Sequence, residues 1–91
     1  MAERIEFSWT AAENVETYEL WEKKPGDADF YLVIDTINTP AFSLLMAGFV
    51  EGDYQYKVRG VNQYGEGPFS DPVTVNFVLP TKVMDLDFII Q

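Results

Sequence analysis

Apolar and polar residues alternate with period two along most of the chain, and no segment sustains the i, i+3, i+4, i+7 stripe of a helix. Ile5, Phe7 and Trp9 share one side of an extended segment while Glu6, Ser8 and Thr10 take the other, which predicts a half-buried first strand. Ala11-Ala12-Glu13-Asn14 turns the chain into a second strand, with Tyr18 and Leu20 facing in and Thr17, Glu19, Trp21 and Lys23 facing out. Lys24-Pro25-Gly26-Asp27 is a turn signal, because Pro presets φ and Gly supplies φ > 0. A third strand, Phe30 to Asp35, is rich in β-branched and aromatic residues. A shorter fourth runs from Ala41 to Ala47, after the break at Asn38-Thr39-Pro40.

The clearest strand follows Gly52-Asp53. Tyr54, Tyr56, Val58 and Gly60 alternate there with Gln55, Lys57, Arg59 and Val61. The stretch Asn62 to Pro68 is a loop, and Pro72 to Val78 completes the series. Six short strands punctuated by Pro/Gly turns predict an all-β fold, an antiparallel β-sandwich. Trp9, Tyr18, Leu20, Tyr54, Tyr56 and Val58 are the expected structural core. Trp21, at an outward parity, and Tyr64 and Phe69, near a loop tip, are candidate surface contacts, since Trp and Tyr dominate binding hot spots. For Trp21 the competing role is to shield the stem of a lysine such as Lys57.

Composition narrows the function. The 91 residues suffice for one domain, and 47% of them are hydrophobic. Six basic against fifteen acidic side chains give a net charge of −9. That balance lacks the basic footprint that nucleic acid or an anionic membrane surface requires. The absence of Cys and His removes thiolate and imidazole chemistry and the usual zinc ligands. Asp27/Asp29 and Asp85/Asp87 are close pairs, but among fifteen acids such pairs are inevitable and read as solvated surface. Gly65-Glu66-Gly67 lacks the Lys-Ser/Thr of a phosphate loop. No cofactor, no metal and no enzymatic activity are expected.

The run Gly52-Asp53-Tyr54-Gln55-Tyr56-Lys57-Val58-Arg59-Gly60-Val61-Asn62-Gln63-Tyr64-Gly65, preceded by Phe49 and followed by Ser70, carries a resemblance. With Trp9 and the Tyr18-x-Leu20 pair, it is similar to the fibronectin type III family over roughly residues 1–79. Phe49 stands where the family has Leu, and Gly60 where it has Ala. The resemblance implies an immunoglobulin-like sandwich of about seven strands, with Tyr54 as a tyrosine corner whose hydroxyl bonds upstream backbone. The Arg-Gly-Asp by which some members bind integrins is missing from Gln63 to Phe69, so that role is not implied.

One departure stands out. Only eight residues precede Trp9, too few for the family's first strand, A, whereas residues 80–91 follow the last strand with an A-like pattern. The chain therefore reads as B-C-C′-E-F-G with an A strand displaced to the C-terminus. Val83, Met84, Leu86, Phe88 and Ile90 form the expected self-assembly strand. In the family's orientation strand G ends at the pole opposite to where A begins. A seven-residue strand spans about 23 Å, and Leu79-Pro80-Thr81 reaches only about 10 Å. Donation to the first strand of a neighbouring copy is therefore expected. The competitors are a reciprocal swapped dimer, a hairpin back onto the last strand, and a remnant of a following domain.

The expected function is a non-catalytic binding and assembly module that forms a homo-oligomer through its C-terminal strand. The resemblance, with a start at Met1 and no apolar signal-peptide core, suggests a phage virion component of capsid or tail. Its further partners would be other virion proteins, cell-surface proteins or polysaccharide, and its location the virion or cytoplasm. The alternative is a spacer or adhesion module of a bacterial extracellular carbohydrate-active or surface protein, which would place it outside the cell.

Overall fold

The computed structural model describes residues 3–46, 48 and 50–90; Ala47 and Phe49, named above, lie outside the described residues. The chain is all-β. Among the described residues its seven strands are β1 (Glu3–Ser8), β2 (Thr17–Lys23), β3 (Tyr31–Ile37), β4 (Ala41–Met46), β5 (Gly52–Asn62), β6 (Gly65–Glu66) and β7 (Val73–Phe77). They form two antiparallel sheets: β1 pairs with β4, and β3-β2-β5 continues into β6 and β7 along the outer edge of β5.

The two-residue period works as side-chain parity requires. From the larger sheet, Tyr18, Leu20, Tyr54 and Tyr56 point inward and are buried with Ile37 and Met46. From the smaller sheet, Ile5, Phe7 and Phe42 pack against them, half-buried. Trp9 and Val58 are likewise half-buried against this cluster. Aromatic pairs join the layers. Phe7 meets Tyr56 at 4.8 Å between centroids, and Trp9 meets Tyr18 edge-on at 5.3 Å.

Local chemistry explains the connections. Gly26 takes φ 88° in the β2–β3 turn, where the Asp27 amide bonds the Lys24 carbonyl and the Asp27 carboxylate accepts from the Lys24 amide. Gly60 has a packing reason: a Cβ there would lie 2.6 Å from Val15 Cγ2, so Val15 occupies the space an Ala methyl would need. The strand expected over Tyr54–Val61 is longer at both ends, eleven residues in all, and it folds into a tight hairpin with β6. Beyond β6 the chain stays beside β5, with the Ser70 amide on the Val58 carbonyl and the Val58 amide on Ser70 Oγ.

Tyr54 is 2% exposed. Its hydroxyl donates to the Val50 carbonyl at 3.0 Å and accepts from the Val50 amide at 2.9 Å, tying the loop before β5 to the core. Tyr54→Phe removes both bonds and leaves two backbone groups without partners. A loss of about 1–2 kcal/mol is expected in urea denaturation; an unchanged midpoint would show that the hydroxyl does not hold the loop.

Candidate functional site

Among the described residues the smaller sheet has two strands and hence two edges, and β1 forms one of them. The Trp9 amide donates to the Pro40 carbonyl. In an antiparallel ladder the two backbone groups of a residue point the same way and alternate from one residue to the next. Ile5, Phe7 and Trp9 therefore bond toward β4, and Arg4, Glu6 and Ser8 turn their N–H and C=O groups to the bare edge. Such a row is a template for another strand.

A groove of about 350 Å³ opens beside this edge, between the sheets, with Phe7, Trp9, Tyr18, Tyr56, Phe69 and Val73 on its walls. Trp9 Nε1 is buried and has no acceptor among the described residues. A buried N–H without a partner is uncommon in a finished fold.

The second component is the segment after β7. Residues 78–90 belong to no strand, and Val83, Met84, Leu86, Phe88 and Ile90 are 71–90% exposed. The segment projects from the sandwich: the chain measures 74 × 27 × 19 Å. Its radius of gyration is 18.5 Å, against about 12 Å for a compact chain of this length. The hairpin onto β7 is not formed. Asp85 alone among the described residues of the segment has left-handed backbone, φ 59°.

Polarity separates the two components. Phe77 lies opposite Gly52 and Glu3 opposite Met46, so the tail leaves from the end where β1 begins. A strand antiparallel to β1 must instead enter at the other end, beside Trp9. The Leu79 amide, held by the Glu51 carboxylate at 3.1 Å, anchors the exit at the wrong pole for self-insertion.

The candidate surface contacts divide. Trp21 and Phe69 meet edge-on at 5.7 Å on the outer face of the larger sheet. Arg59, not Lys57, lies over the Trp21 ring, and it also covers Phe69. Lys57 spans Phe69 and Phe30. Glu19 closes the cluster, accepting from Arg59 Nε at 2.6 Å and Trp21 Nε1 at 2.9 Å. Burial raises the Glu19 pKa, but these two donors and the Arg59 charge outweigh it and hold the carboxyl below its ordinary value. Cations, rings and carboxylate satisfy one another here, so the cluster clips the segment after β6 onto the sheet. Tyr64 stands apart, 88% exposed in the β5–β6 turn.

Several other polar groups have local duties. Asp27, Asp29 and Asp87 each accept from a nearby amide. The buried Tyr56 hydroxyl donates to Glu22 at 2.8 Å, and burial together with this carboxylate pushes its pKa well up. Among the described residues no three His, Cys, Asp or Glu side chains gather as metal ligands, and no helix is long and apolar enough to cross a membrane. No family model matches the chain, and no curated protein matches it.

Proposed function

We propose that the chain is a non-catalytic binding and assembly module of fibronectin type III type, whose C-terminal segment, residues 80–91, supplies a strand to the β1 edge of a second copy. In this reading β1, β2, β3, β4 and β5 correspond to strands B, C, C′, E and F, and β6 with β7 to G. The observation that carries it is one molecule with a bare edge beside an apolar groove and a projecting apolar tail that leaves from the wrong end to fill it. Strand addition supplies the missing backbone partners and covers the exposed side chains in one step. Donation of this kind is heterologous, so copies stack head to tail into a ring or a filament. A module that multiplies itself this way suits a virion capsid or tail; that context rests on the family resemblance. Other virion proteins, cell-surface proteins or polysaccharide would meet its remaining surface.

The test is sedimentation of the intact chain and of a chain ending at Pro80, across a wide concentration range. The intact chain is expected to form multimers that grow with concentration. The shortened chain is expected to be a less stable, aggregation-prone monomer, rescued by a peptide of residues 81–91. An intact chain that stays monomeric at high concentration with its tail protected from proteolysis would refute the proposal.

A further inference from the structure

Resting on that reading, we infer the register of the exchange: Leu86–Ile90 of one copy pairs antiparallel with Ile5–Trp9 of the next, Leu86 opposite Trp9, Phe88 opposite Phe7 and Ile90 opposite Ile5.

Direction comes first. Every ladder among the described residues is antiparallel, and antiparallel pairing is the more stable per residue. Side-chain parity comes second. Ile5, Phe7 and Trp9 are the core-facing residues of this segment, Phe7 and Trp9 also lining the groove, so the tail must lay alternate apolar residues over them. Only two registers cover all three with apolar side chains.

The first sets Met84, Leu86 and Phe88 over Trp9, Phe7 and Ile5. It places Asp87 directly against Glu6, and like charges in directly opposed positions are destabilising. It also runs the paired stretch through Asp85, whose left-handed backbone breaks the alternation between Met84 and Leu86. The second register sets Leu86, Phe88 and Ile90 over the same three residues. Asp87 then falls beside Ser8 and Ile89 beside Glu6, so no acid opposes an acid. Asp85 falls just outside the paired stretch, where its turn redirects the chain into the groove instead of interrupting a ladder.

In this register Ser8 pairs with Asp87 and Glu6 with Ile89, and both β1 residues turn their N–H and C=O to the open edge. The incoming strand also brings carbonyl oxygens alongside Trp9, whose buried Nε1–H has no acceptor among the described residues. Residues 78–84 remain as the connector between copies, about 23 Å when extended.

The test uses full-length chains, which contain no native cysteine. Ser8→Cys chain is mixed in turn with Asp87→Cys, Asp85→Cys and Ile89→Cys chains under mild oxidation. A hydrogen-bonded antiparallel pair sets its Cα atoms about 5.5 Å apart, within disulfide range. The expected result is an interchain disulfide between positions 8 and 87, formed at least tenfold faster than with either shifted partner. Preference for position 85 or 89 overturns the register while leaving exchange in place. Multimers in sedimentation with no cross-link at any of the three positions also overturn the register, by removing the β1 edge as the acceptor. A chain that is monomeric throughout and forms no cross-link overturns the register together with the assembly proposal it rests on.

Discussion

Leu20→Ala is expected to remove a large share of the domain's stability. Leu20 has no exposed surface and sits in β2, the strand flanked on both sides within the larger sheet. Its neighbours in the two ladders are Ile34 of β3 and Val58 of β5, and above it lie the aromatic rings that join the sheets. Removing this side chain forfeits its transfer free energy and opens a cavity in a layer that β-ladders on both sides keep from collapsing. Such truncations cost about 2–5 kcal/mol. A chain of this length has only about 5–14 kcal/mol in total, and here the core is small: six hydrophobic residues are buried among those described. Urea denaturation followed by tryptophan fluorescence reads the loss. A shift below about 1 kcal/mol would mean that the groove side of the core relaxes to fill the space, and that the sandwich is far softer than its ladders imply.

What sequence reasoning reaches, and what it misses, follows from how local each cause is. The inward sets Ile5/Phe7/Trp9, Tyr18/Leu20 and Tyr54/Tyr56/Val58 are visible because strand parity depends only on spacing along the chain. The Lys24–Asp27 turn is visible because Pro and Gly act within four residues. The two-residue strand β6 is not, because Gly65-Glu66 has no strand composition of its own and becomes one by lying against Val61 and Asn62. The clip of Glu19, Trp21, Phe30, Lys57, Arg59 and Phe69 draws on β2, β5 and the segments before β3 and after β6. Parity shows that Trp21, Lys57 and Arg59 face outward together; it does not show that a loop residue, Phe69, folds down between the two cations. For the tail, the apolar pattern marks the segment as unsuited to water. Its exit at the Gly52 end, opposite to where a partner for β1 must start, is a property of the assembled sheets.

That exit point makes the β1 edge the place where assembly and folding can be separated by a single backbone atom. The Glu6 N–H points away from β4, whereas the Phe7 N–H points toward it. Proline removes an N–H and fixes φ near −65°, and edge strands accept it where the lost donor faced solvent. Glu6→Pro is therefore expected to keep the β1–β4 ladder and the fold, while denying an incoming strand one of its donors and crowding its path with the ring. Self-association should weaken by roughly tenfold or more, about 1.4 kcal/mol for the backbone bond alone. Glu6→Val is the matched control. It loses the same contact between Ser43 Oγ and the Glu6 carboxylate but keeps the N–H, so it should assemble as the native chain does. Phe7→Pro should instead unfold the protein, since it cuts a bond to β4 and removes the ring that packs on Tyr56. The measurement is a sedimentation isotherm paired with a thermal melt for each variant. If Glu6→Pro melts like Glu6→Val and still assembles with native affinity, the bare edge of β1 is not where the copies join.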